Sequence, residues 1–150
     1  MLLRLVVALI FGAMMGLERE LAGKEAGIRT SMMVASGAAL FTIAALSIPY
    51  LVTPYANEAE RLIVGNAGYL SIIGSIVAGI GFLGAGIIIK TEEHVHGLTT
   101  AAVIWAVAAV GVLIGIGLIK FAIVSAVLVS TLLYLLRILN ISEQVTKHKR

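Results

Sequence analysis

The chain has 150 residues, 60% hydrophobic and 13% charged, with a net charge of +3 and no cysteine. A soluble domain is nearer half apolar and a quarter charged. This balance excludes an ordinary soluble enzyme, a disulfide scaffold and a thiolate metal site, and predicts an all-α polytopic membrane protein.

Hydropathy predicts a bundle of about five transmembrane helices, at roughly 2–17, 31–52, 69–89, 99–117 and 120–139. Together they make one membrane domain over 1–140, followed by a short basic tail at 141–150 holding Lys147, Lys149 and Arg150. The excess of positive charge therefore reads as helix anchoring and orientation, not as nucleic-acid binding.

The first span leads from Leu5–Leu17 into Glu18-Arg19-Glu20 and shows no signal-peptide cleavage pattern. From Leu2 to Leu17 it covers about 24 Å at ~1.5 Å per residue, against a hydrocarbon core of about 30 Å. Either the helix continues through the charges or the bilayer thins around it. An ionised group at that boundary is tolerated when paired or wet. Glu18 and Glu20 lie about 200° apart on a continuing helix, so the two do not face one way. Their carboxylates also suit Mg²⁺, a hard cation that prefers oxygen, and they are the candidate metal ligands. An ion-paired polar hairpin over 18–30, with Lys24 and Glu25 included, accounts for the same residues.

The second span carries Pro49 near its end, and Pro54 stops it. The third is free of charge from Tyr69 to Ile89. Gly79-Ile80-Gly81-Phe82-Leu83-Gly84 matches G-x-G-x-x-G, but it follows no strand and lies inside a span, so a dinucleotide site is rejected. Small residues recur as Gly12 and Gly16, as Gly74, Ala78, Gly81 and Ala85, and as Gly111 and Gly115. Such stripes let helices approach closely in lipid, within one chain or across a dimer face.

Between the third and fourth spans, Glu92-Glu93-His94-Val95-His96 offers potential metal ligands at a spacing that suits a strand, with no third ligand evident; the preferred reading is a solvated loop whose charges keep it out of the membrane. Thr99 or Thr100 is placed to N-cap the fourth span. The fourth and fifth spans divide near Gly115-Ile116-Gly117. Eight of the lysines and arginines fall on the side of Lys24 and the C-terminus, and Arg4, Arg61 and Lys120 on the other. The expected topology is N-terminus outside and C-terminus cytoplasmic. The spans offer few polar side chains for a pore: Ser36, Thr42, Ser71 and Ser75, with Asn66 nearby.

Three motifs in order, GLEREL with GKEAGIRT at 16–30, GIGFLGAG at 79–86 and GLTTAA at 97–102, resemble the MgtC/SapB family over about Arg4 to Leu139. The matching positions are Gly16, Glu18, Arg19, Glu20, Gly27, Arg29 and Thr30, then Gly79, Gly81, Phe82, Gly84, Ala85 and Gly86, then Gly97, Leu98, Thr99 and Thr100. The resemblance implies a compact helical domain of the plasma membrane, not an enzyme. It implies a link to growth in low magnesium and to pathogen survival in host cells, and action by binding other membrane proteins. Ser71 and Ser75 stand where the family commonly has Arg and Gln. The expected functional cluster is Glu18, Arg19, Glu20, Arg29 and Thr30 against Thr99 and Thr100. Gly12, Gly16, Gly79, Gly81, Gly84 and Gly86 are the expected helix-packing glycines, Mg²⁺ the candidate ion, and a dimer in lipid the expected assembly. A small-cation transporter or channel is the alternative function.

Overall fold

The computed structural model describes residues 1–52, 61, 68–92 and 94–139. The predicted loop at 53–68 and the tail at 141–150 fall largely or wholly outside them, as do Pro54, Asn66 and Glu93. Among the described residues there are five helices: α1 (Leu2–Leu21), α2 (Ile28–Val52), α3 (Gly68–Ile87), α4 (Leu98–Ile116) and α5 (Ile119–Ile138). A hairpin of β1 (Ile89–Lys90) and β2 (Val95–His96) joins α3 to α4. The architecture is an all-α membrane bundle.

Four of the helices are long and apolar enough to cross a membrane: Ile28–Leu51, Leu70–Ile87, Leu98–Ile116 and Ile119–Ile138. α1 has the length, at 20 residues or about 30 Å, but includes Arg4 and the Glu18-Arg19-Glu20 run. Of the two outcomes open for the first span, the chain takes the longer helix. Glu, Arg and Leu are good helix formers, and nothing stops α1 until Gly23, whose φ of 66° is left-handed.

α4 is the centre and touches every other helix. Ala8 and Met15 of α1, Ala35 and Ala39 of α2, Val103, Val107, Val110 and Ile114 of α4, and Ala122 and Ala126 of α5 form one core. Many of these side chains are alanines, so the helices close on backbone and methyl rather than on large side chains. A Cβ added at Gly12 would sit 2.6 Å from the Ser31 carbonyl oxygen, and one at Gly16 2.7 Å from that of Gly27. Gly111 presses as closely on the Ala35 backbone, and Gly115 on Thr42 and Ala39.

Two helix ends are closed by arginines. In lipid an unpaired backbone carbonyl is costly, and each helix leaves four of them at its C-terminus. α4 ends at Gly117, φ 105°, where the N–H groups of Gly117 and Leu118 return to the Ile114 and Leu113 carbonyls in a Schellman turn. The two remaining carbonyls, of Gly115 and Ile116, accept from Arg4 Nη1 at 2.8 and 3.4 Å. α1 ends the same way: Ala22, Gly23 and Lys24 donate to the carbonyls of Glu18, Glu20 and Arg19, and Arg137 Nη2 takes that of Leu21 at 2.9 Å. A cation at a helix C-terminus also meets the negative end of its dipole. The turn between α4 and α5 is Gly117-Leu118, so Gly115, expected near that turn, is instead a packing residue inside α4.

Candidate functional site

The charged stretch lies where α1 turns into α2, at the same end of the bundle as the hairpin and the C-terminus of α5. Its residues have separated fates. Arg19 is buried at 4% exposure, and its Nη2 donates to Thr100 Oγ1 at 3.0 Å. That bond ties α1 to the first turn of α4 across 81 residues of sequence. Glu18 lies beside it, its Oε2 3.9 Å from Arg19 Nη1 and its side chain 11% exposed. The contact is a charge pairing rather than a hydrogen bond, being longer than hydrogen-bond range. Glu18 Oε2, Arg19 Nε and Ser31 Oγ are buried without a hydrogen-bond partner. In a region of low dielectric such unmet polar atoms make the arrangement sensitive to any change in its charges.

Glu20 is exposed and turned to another task. Its Oε2 accepts from the Ile28 N–H at 2.8 Å, placing a carboxylate on the first amides of α2, where the helix dipole favours it. Gly27 permits this: a Cβ there would lie 2.6 Å from the same oxygen.

Several expected members of the cluster lie elsewhere. Arg29 is exposed and Thr30 only half-buried, because α2 begins at Ile28 and its inward face at that turn is taken by Ser31. Thr99 is exposed, and neither threonine caps α4. The N-cap is Gly97, left-handed at φ 83° and pressed against Ile87, which leaves the Thr100 hydroxyl free to accept from Arg19. Glu18 and Glu20 do not converge on one ion: the first faces a guanidinium and the second caps a helix. Among the described residues no group of three or more His, Cys, Asp or Glu forms a metal site. The two carboxylates of this cluster thus stand apart, one beside Arg19 and the other on the first amide of α2.

The expected packing glycines divide in the same way. Gly12 and Gly16 are buried between α1 and α2. Gly84 makes ordinary contact with Ala101, while a Cβ added at Gly79, Gly81 or Gly86 would meet nothing within 4 Å among the described residues outside its own turn of helix. Gly74 on α3 and Gly37 on α2 are equally open. α3 is the least buried of the four apolar spans, and Phe82 on it is 85% exposed. Between α2 and α3 runs a groove of about 580 Å³, with Gly37, Ala38, Phe41, Ser75, Ile76 and Gly79 among its walls.

Four of the described hydroxyls bond back to their own helices. Ser36, Thr42, Ser47 and Ser75 each donate to a carbonyl three or four residues earlier on their own helix, at 3.2, 2.8, 2.6 and 3.0 Å. This is how a helix hides a hydroxyl from lipid.

The MgtC family matches residues 5–141, covering the polar cluster, the open glycines and every helix of the bundle. The chain belongs to the MgtC family. It is similar to a protein MgtC of Brucella abortus (strain 2308), 41% identical over 130 residues, which is 87% of this chain and 48% of that protein. It is also similar to a protein MgtC of Salmonella typhimurium (strain LT2), 37% identical over 136 residues, 91% of this chain and 52% of that protein. The chain thus spans about half the length of these MgtC relatives. No solved structure matches it.

Sequence reasoning missed Arg4 and Arg137 as closing groups for MgtC-type helix ends. Their position inside otherwise apolar runs was the available signal, because an arginine near a span end needs a partner.

Proposed function

We propose that this MgtC-family chain is a non-enzymatic membrane module that works by helix-to-helix association, with itself or with another membrane protein, and is tied to magnesium homeostasis. The observation that carries this reading is the open set of glycines: a Cβ added at Gly37, Gly74, Gly79, Gly81 or Gly86 would meet nothing within 4 Å among the described residues outside its own turn of helix. A glycine in a span has packing value when a backbone approaches it, and this supports a partner helix as that backbone. The occupant favoured for the α2–α3 groove is a helix of a second copy, giving a dimer. The alternative, a carrier or channel for Mg²⁺, has less support, since Ser36, Thr42, Ser47 and Ser75 bond back to their own helices and Glu18 and Glu20 do not converge.

The plasma membrane is the proposed location, with the end bearing Arg19, Lys24, Arg29, Lys90 and Arg137 in the cytoplasm, by the excess of lysine and arginine there. The native chain has no cysteine, which makes the test direct. Gly79→Cys and Gly86→Cys, seven residues apart and so on one side of α3, are expected to cross-link into dimers in membranes, whereas a cysteine at exposed Val124 of α5 is not. Equal cross-linking at all three positions would indicate random collision and count against a defined face. A cysteine at Lys24 should resist an impermeant reagent in intact cells; its labelling would reverse the topology.

A further inference from the structure

We propose that His94 and His96 form a two-histidine site for a divalent transition-metal cation of the Zn²⁺, Ni²⁺ and Cu²⁺ class, on one exposed face of the β1–β2 hairpin. The pair lies outside the polar cluster and outside the groove, and plays no part in the association reading.

The hairpin register pairs Ile89 with His96 and Lys90 with Val95. Side chains alternate across a strand, so His96, His94 and Thr91 share a face with Ile89. Lys90 and Val95 take the other face, and the ammonium nearest in register therefore points away from a bound cation. The imidazole rings stand 6.1 Å apart between centroids, with their planes 30° from each other. The rings stack, so the two exposed side chains turn about χ1 and χ2 to bring one ring nitrogen of each to about 2.0–2.1 Å from a shared ion.

The backbone that carries the pair is already fixed. Thr91 N–H donates to the His94 carbonyl at 2.9 Å, and Thr91 Oγ1 donates to the same carbonyl at 3.0 Å. The Thr91 hydroxyl oxygen in turn accepts from the His94 N–H at 3.3 Å. Both histidines are exposed, so an ion reaches them without opening the bundle, and water completes its coordination.

The chemistry of the donors sets the class of ion. Neutral imidazole suits zinc, copper and nickel, whereas Mg²⁺ demands oxygen and gives up its water reluctantly. A site of this kind responds to transition metals and not to magnesium, so its failure leaves the association reading untouched.

The test uses untagged full-length protein in detergent, with Cu²⁺ followed by electron paramagnetic resonance and Zn²⁺ by calorimetry. One equivalent should bind with a two-nitrogen signature. His94→Ala and His96→Ala should each weaken binding by at least about tenfold, equivalent to ~1.4 kcal/mol, with helical content unchanged. His148→Ala should leave it as it was, and excess Mg²⁺ should not displace the ion. Parent-like binding in both hairpin variants, binding that follows His148, or no saturable binding would each overturn the proposal.

Discussion

Arg19→Ala is expected to be the most destabilising single change at the charged end of the bundle. It removes the tie from α1 to Thr100 and leaves Glu18, nearly as buried, facing no cation. Breaking a buried charge pair from one side costs roughly 3–5 kcal/mol because the partner is left uncompensated, whereas an exposed pair is worth at most about 1 kcal/mol. Thermal unfolding in detergent reads the difference. Glu18→Gln should cost less, since a neutral amide leaves no unpaired anion. The double change, Glu18→Gln with Arg19→Ala, should recover part of the loss. Thr100→Val should fall between, at about 1–3 kcal/mol for a buried donor without its acceptor. Arg19→Lys should not rescue, because an ammonium on a flexible stem does not reproduce the planar guanidinium. An Arg19→Ala protein that unfolds within the range of an exposed pair would show that the cluster is wet and carries little.

The second large effect concerns glycines that look alike in sequence and differ in surroundings. Gly16→Leu and Gly111→Leu drive a side chain into the backbones of α2 at Gly27 and Ala35. Overpacking costs typically ~1–3 kcal/mol, and more is expected here because backbone rather than a movable side chain stands in the way. Both variants should lose the folded bundle in mild detergent. Gly79→Leu and Gly86→Leu meet no described residue within 4 Å of the new Cβ and should unfold as the parent does, while losing dimer in size measurements. If the α3 variants also destabilise the monomer, or leave the dimer intact, the outward glycines have no association role.

How much of this was legible beforehand differs by level. The spans and their order follow from hydropathy, which local composition sets. The stop at the end of α1 lies in Gly23, and the charged stretch resolves into three jobs: Arg19 locks two helices, Glu20 caps α2, and Gly27 makes room for that cap. Only the crowding of charge was visible in the sequence. Thr100 is 81 residues from Arg19, and Arg4 and Arg137 reach carbonyls 111 and 116 residues away. No local pattern specifies pairings at that separation. The glycines show the same limit: G-x-x-x-G at 12–16 and the stripe through Gly74 and Gly81 are equivalent as text, yet one faces α2 and the other faces away from its own chain. Arg29 shares one charged stretch of sequence with Glu18, and the direction of α2 turns it outward.

The claim that this MgtC-family module associates rather than transports is tested most directly by Mg²⁺ flux. Purified protein is reconstituted into liposomes loaded with a magnesium-sensitive dye, and an inward Mg²⁺ gradient is imposed. The account predicts uptake no faster than in protein-free liposomes, for parent, Gly79→Leu and Glu18→Gln alike. Uptake that rises with the amount of protein and is abolished by Glu18→Gln would contradict it and make the charged end of the bundle part of an ion path.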